Sequence, residues 1–391
     1  MQYKFRQVPE LIHNRSFGTD REWLEHLRLI AELPYPSLAL MPSILPIIRC
    51  RVSNTVGGFG WTDLDFAPLA YMTDQMHLSA YQWWASNLEV AFGMFPIAEQ
   101  WASRGEMVRR ICLGADFETS ALFREVLVPQ GLRWMTIAPG TIAGGTRLGF
   151  LSMYRPREAG PYTDREQELL LRAAKALAAL DRPANPLSAL PACPMREVAQ
   201  ASALVRADGS MAARSQEAAR LIYLLGGANM HTLDWARPDW FALPASVREA
   251  AQRLFDHPDS ELRQRVRIDQ AWGRFEFALE KMPHQLDEKE PLVIIGIRYF
   301  EAVDITVARR LAGWPLSPRE KSIVIAGTRS GTLPDLAEAL GITVNTLKSY
   351  NKEIVDRLGV ASRQDLIDLL LGEEAAIHDL AAAKKPDPSC C

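Results

Sequence analysis

The chain predicts an α+β protein: two antiparallel-sheet domains followed by a bundle of four short helices. Three observations carry that expectation. Paired apolar runs flank the turn signals Gly144-Gly145 and Asp208-Gly209, as in β-hairpins. Four prolines, Pro183, Pro186, Pro191 and Pro194, crowd the junction between those pairs and cannot sit inside a regular element. From Leu316 onward, helix start and stop signals recur at the spacing of a small helical bundle.

The chain has 391 residues, 48% hydrophobic and 23% charged with a net charge of −3, which fits a soluble globular protein of two or three domains. The apolar run from Leu38 to Ile48 is broken by Pro42 and Pro46 and is too short to cross a bilayer, and no secretory leader precedes it. Cys50, Cys112 and Cys193 are scattered singly, as reduced structural thiols are, so a cytoplasmic protein is expected.

The first domain is expected to span residues 1–182. Leu132 to Ala138 and Leu148 to Tyr154 read as strands, and Thr163-Asp164-Arg165-Glu166 is a capping box opening a helix with Leu169, Leu170, Ala173, Leu177 and Leu180 as its apolar stripe. Gly57-Gly58-Phe59-Gly60 lacks the lysine ending of a phosphate loop and is read, with Gly144-Gly145, as a turn. Large rings are concentrated here. Trp61, Tyr71, Tyr81, Trp83, Trp84, Phe92 and Trp134, with Asp63 as an orienting polar group, make a candidate pocket for a small apolar effector or, equally, the domain's own core. Trp83 and Trp84 are adjacent, so both cannot face one core from a helix.

A proline-rich linker, 183–195, separates this from a second domain at 196–307. There Leu204-Val205-Arg206 and Met211-Ala212 flank Asp208-Gly209, a helix follows near Ser215 to Leu225, and Gly273, Phe275, Phe277 and Leu279 alternate with polar neighbours. Leu292 to Ile297 reads as a central strand.

The terminal module, 312–372, opens with Ser317-Pro318-Arg319-Glu320, a capping box with proline at the first helical position. A second helix follows Thr332 and stops at Gly341; Thr343 caps a third, which Gly359 ends; Ser362 opens a fourth. On the third helix Asn345, Lys348, Ser349 and Lys352 stand at i, i+3, i+4 and i+7, a donor-rich face opposite Val344, Leu347, Ile354 and Leu358. A helix entering the major groove needs that combination. The module's basic residues, Arg319, Lys321, Arg329, Lys348, Lys352, Arg357 and Arg363, are matched in number by acids, so non-specific affinity is expected to be modest and two copies necessary. Leu366, Ile367, Leu369, Leu370 and Leu371 are read either as packing inside the bundle or as part of a dimer contact. Residues 373–391 are expected to be a disordered tail.

Catalytic patterns are absent from the sequence. His13, His26, His77, His231, His257, His284 and His378 are dispersed without a metal-binding spacing, no Gly-x-Ser-x-Gly elbow occurs, and Asp63, Asp65 and Asp74 fit a helix-capping loop better than acid catalysis. No cofactor is expected.

The run Leu316-Ser317-Pro318-Arg319-Glu320, with Leu336-Ala337, Leu340-Gly341-Ile342, Thr346-Leu347-Lys348, Leu358-Gly359-Val360 and Ser362-Arg363, resembles the LuxR/GerE-type DNA-binding domain without a gap. That resemblance implies a helix-turn-helix protein that binds an inverted-repeat duplex as a homodimer. It implies that Lys348 is the recognition-helix lysine and that Thr343, Asn345, Thr346, Ser349 and Lys352 meet phosphates or bases. Departures are Ser322 for the usual glutamate, Tyr350 for a common histidine and Leu333-Pro334 for a polar pair; they bear on the operator more than on the fold. The strands and closing helix before residue 182 look like the end of a GAF-like sensor domain, and residues 196–307 look like a PAS domain. The order implies a ligand-responsive transcriptional regulator. Its alternatives are a regulator controlled by a protein partner and a metabolite-processing enzyme with an appended DNA-binding module.

Overall fold

In the computed structural model the described residues are 17–35, 37–63, 68–73, 83, 87, 118–143, 147–177, 180, 194–226, 243–257, 263–270, 273–282, 291–329 and 331–372. They form a mixed helical and antiparallel-sheet protein. In chain order the elements are α1 (Asp20–Ala31), α2 (Ser37–Arg49), β1 (Val56–Asp63), β2 (Pro68–Thr73), a π-helical turn (Leu122–Leu127), β3 (Leu132–Ala143), β4 (Arg147–Pro156) and α3 (Asp164–Ala176). Next come β5 (Met195–Arg206), β6 (Met211–Arg214), α4 (Gln216–Gly226), α5 (Ala245–Asp256), β7 (Arg263–Gln270), β8 (Gly273–Lys281) and β9 (Leu292–Ala302). The last are α6 (Val303–Arg310), α7 (Pro318–Ala326), α8 (Leu333–Ala339), α9 (Val344–Leu358) and α10 (Arg363–Leu371). The chain forms two compact units. One comprises Met1–Leu33, Pro186–Pro194 and Ala302–Cys391; the other comprises Pro34–Asn185 and Met195–Glu301.

The sheet-bearing unit holds a four-stranded sheet, β2-β1-β4-β3, and a five-stranded sheet, β6-β5-β9-β8-β7. In the first, Gly57 to Gly60 are not a turn but the middle of β1, which pairs with β2 and β4. Two neighbouring strands satisfy the backbone there, and the missing side chains admit α2. A Cβ at Gly57 would lie 3.2 Å from Leu45 Cδ2. Pro42 and Pro46 lie inside α2 rather than breaking it. Met41, Ile44, Leu45, Ile47 and Ile48 are fully buried, and that burial offsets the lost helix hydrogen bonds. The Thr163 capping box forms on α3, and buried Arg155 of β4 fixes the same end by donating to Glu166 at 2.7 Å and to the Gly160 carbonyl at 2.8 Å.

In the second sheet, Gly209 takes the left-handed conformation (φ 80°) that the β5–β6 turn demands, and Ser210 N–H donates to Asp208 Oδ1 at 2.8 Å. Phe275, Phe277 and Leu279 of β8 and Val293, Ile295, Ile297 and Tyr299 of β9 form the buried face. Helix α4 packs on β5, and α5 packs on β7 and β8. Edge strand β7 is polar on alternate positions, with Arg263, Arg265, Arg267 and Asp269 exposed.

The helical unit draws on both ends of the sequence. Thr19 and Glu22 form a capping box on α1, which buries Trp23, Leu27 and Ile30 and packs on α6 and α7. Asp304 of α6, completely buried, accepts from Arg329 Nη2 at 2.9 Å. Arg310 ends α6 by donating Nη1 to the Leu370 and Gly372 carbonyls at 2.6 and 3.0 Å, so it caps α10. Leu366, Ile367 and Leu370 are buried, and α10 packs on α6 and α9; Leu369 and Leu371 stay half-buried. His26 is buried on α1, 5.6 Å from the Phe17 ring, and neither ring nitrogen makes a hydrogen bond of standard geometry. Burial, with the nearby Lys321 ammonium, pushes its pKa down to about 3, the backbone at Ala308 opposing weakly.

Among the described residues no helix is long and apolar enough to cross a membrane, and no three His, Cys, Asp or Glu gather to hold a metal ion. The expected linker core 183–193, the Gly144-Gly145 turn, Asp65, Asp74 and the tail 373–391 lie outside the described residues.

Candidate nucleic-acid interface

Four helices position one exposed polar face. Ser317 Oγ accepts from Glu320 N–H at 3.3 Å, while Glu320 Oε2 accepts from Ser317 N–H at 2.7 Å. The same buried carboxylate accepts from Arg357 Nη1 at 2.8 Å, so the start of α7 is tied to the end of α9. Arg319 Nη2 donates to the Leu340 carbonyl at 2.6 Å and holds the end of α8. Gly341, at φ 63°, allows the chain to reverse before α9. Thr343 caps α9, accepting from Thr346 N–H at 3.1 Å, and the two hydroxyls lie 2.8 Å apart.

Helix α9 buries Leu347, Ile354 and Leu358 and leaves Thr343, Asn345, Thr346, Lys348, Ser349 and Lys352 exposed. All six sequence candidates therefore share one accessible stretch. They are not equivalent. Thr343 and Thr346 are occupied with each other, and Ser349 Oγ donates to the Asn345 carbonyl at 3.2 Å within its own helix. Among the described residues neither Lys348 nor Lys352 enters an ion pair, and Asn345 keeps its side-chain amide free. The other cations of 316–371 are engaged inward. Lys321 is buried with its pKa lowered by desolvation, Arg329 holds Asp304, Arg357 holds Glu320, and Arg363 packs its guanidinium against Gly327. These inward ties, and the α1 contact with α7, were not read from the sequence. Thr19-Asp20-Arg21-Glu22 ahead of Trp23, Leu27 and Ile30 was the available signal for α1.

The candidate effector pocket is only partly placed. Trp61 and Asp63 lie on β1 and Tyr71 on β2, where Gly60 is the register partner of Tyr71. Tyr81, Trp84 and Phe92 lie outside the described residues. Trp83, half-buried, donates Nε1 to Glu125 Oε2 at 2.6 Å on the π-helical turn. Trp134, also half-buried, donates Nε1 to the Arg157 carbonyl at 3.3 Å and carries the Arg133 guanidinium 4.8 Å from its ring centroid. Arg133 also stands 5.3 Å from the Phe123 ring, so both tryptophans border the same π-helical turn.

No family model and no curated protein matches this chain. Among solved structures, the dimer of VqmA from Vibrio cholerae, a LuxR-type receptor, aligns with 44% of this chain and 82% of its own, at 14% identity and a TM-score of 0.19. A superposition that loose does not define a shared fold.

Proposed function

We propose that this protein is a ligand-responsive, sequence-specific DNA-binding transcriptional regulator that acts as a cytoplasmic homodimer on an inverted-repeat operator. In this reading 312–372 is a helix-turn-helix module with α9 in the major groove, 1–182 is a GAF-like domain that senses a small molecule, and 196–307 is a PAS-like domain. The observation that carries it is the exposed face of α9, where Asn345, Lys348 and Lys352 stand at i, i+3 and i+7 with no side-chain partner among the described residues. An amide near the helix start suits a base edge, and the two ammonium groups suit phosphates. The effector acts by binding the DNA-competent arrangement more tightly than the other, so operator DNA must tighten effector binding by the same factor.

The test is selection of bound sequences from a random duplex pool by the full chain, with and without a small-metabolite extract. Enrichment of an inverted repeat, with dependence on the extract, is the expected outcome. With two free lysines per protomer, the winning duplex should show a log–log salt slope of about −3.6 for a dimer, and Lys348→Ala or Lys352→Ala should each flatten it by about 2, one phosphate contact per protomer. Unaltered affinity and slope in both variants would remove α9 from the interface.

A further inference from the structure

We infer that the outer face of the five-stranded sheet is the surface through which two copies of this chain pair. The inference rests on the dimeric part of the proposal above and goes beyond it by naming the surface. Opposite the buried Phe275, Phe277, Ile295 and Ile297, the alternate residues of β8 and β9 face outward. Ala278 and Glu280 are exposed, Ile294 is 39% exposed, and the Arg298 side chain is 50% exposed. At the centre, Ala278 and Gly296 are register partners, and among the described residues a Cβ on Gly296 would meet only Ala278 atoms, at 3.8 and 4.0 Å. The middle of the face is thus low and open, and charged side chains stand on either side of it.

The arrangement of those charges selects the occupant. In register across β8 and β9, Arg274 opposes Phe300, Glu276 opposes Arg298, Ala278 opposes Gly296 and Glu280 opposes Ile294. A two-fold axis along the strands, midway between β8 and β9, lays β8 of one copy over β9 of the other with every row kept. Each Glu276 then meets an Arg298 of the second copy, each Arg274 meets a Phe300 ring, and Ala278 lies on Gly296. With Arg263, Arg265, Arg267 and Asp269 of β7 standing in register beside Glu280, Ala278, Glu276 and Arg274, cations and anions are interspersed over the face, and the β8–β9 rows complement themselves. Edge-to-edge pairing is opposed, since β7 would bring Arg263, Arg265 and Arg267 against their own copies. About that axis four strands overlap, β5, β9, β8 and β7, and the nine residues of β8 at about 3.4 Å each with three spacings of about 4.8 Å give roughly 450 Å² per copy. That lies below the ~800 Å² per partner of a standard interface, so the dimer should be concentration-dependent.

The experiment is sedimentation of the full chain from roughly 0.1 to 50 µM. Wild type should pass from monomer to dimer, and Gly296→Glu should raise the dimer Kd at least tenfold with an unchanged melting temperature. Glu276→Arg and Arg298→Glu should each weaken self-association, and mixing the two proteins should restore it, because both cross-copy pairs are again opposite in sign. Restoration by mixing separates a contact between copies from the Glu276–Arg298 pair within one chain, and it decides the matter if Gly296→Glu fails to fold. A monomer throughout, a Gly296→Glu dimer of wild-type strength, or charge variants that pair as wild type would overturn the inference. Duplex selection is read separately. Failure to select DNA with a Gly296→Glu monomer leaves this surface standing and removes the regulator; an intact Gly296→Glu dimer on an inverted repeat does the reverse.

Discussion

Acidification should loosen α1 from the helical unit through His26. Its pKa of about 3 in the fold, against 6.5 when exposed, means that the ring is neutral in place and gains a proton whenever α1 opens below pH 6.5. The opened state then binds more protons, so stability rises with pH between about 3 and 6.5 and is lost as pH falls through that window. At pH 5 the opened state gains about 1.9 kcal/mol relative to pH 7, a roughly 25-fold rise in the opening equilibrium. Lys321, its own pKa lowered by burial, opposes a proton on the ring, and Glu22 and Glu25 act on that lysine. The assay is amide exchange of the peptide spanning Asp20–Ala31, with protection factors corrected for intrinsic rates at pH 7 and pH 5. His26→Leu removes the titrating group and should keep nearly the same protection at both values. Equal loss of protection in wild type and His26→Leu would refute the argument.

Asp304→Ala should cost the helical unit about 3 kcal/mol, since the Arg329 guanidinium loses its buried carboxylate; Arg329→Met should cost a similar amount, and the double variant less than the sum in urea titrations. Strict additivity would mean that the pair is not coupled. Gly359→Ala should lower stability by about 1 kcal/mol, because φ 65° at the end of α9 is strained for any residue with a Cβ, and Gly359→Asn should cost less. A calorimetric melting temperature unmoved by the alanine would dismiss the left-handed cap as a contributor.

Much of the local structure was legible because its causes are local. Ser317, Thr332, Thr343 and Ser362 each cap the helix that they were expected to open, and Gly359 closes α9 in the left-handed conformation. The face of α9 followed from the 3.6-residue period alone. What escaped were features set by distant partners. Gly57 to Gly60 look like a turn until β2 and β4 flank them, and Pro42 and Pro46 look like breaks until the burial of α2 is seen. Edge strand β7 shows Val266 and Ile268 as half-buried residues among arginines, too weak an apolar signal to read alone. The exposure of Lys348 and Lys352 was legible; their being the free cations was not. That required seeing Arg357 on Glu320 and Arg329 on Asp304, pairs separated by 37 and 25 positions.

Helix α1 is made by the ribosome long before anything it packs against. Its partners α6 and α7 lie beyond Ala302, whereas its own segment ends at Leu33. At ~5–20 residues per second, the intervening chain takes on the order of 15–60 s to emerge. Throughout that interval α1 lacks the helices α6 and α7 on which it packs, while the sheet-bearing unit is completed by Glu301. Translation halted just after Ala302 leaves a complete sheet-bearing unit and an α1 without α6 and α7. Such a product is a substrate for chaperones and proteases, so the last ninety residues decide the fate of the first thirty.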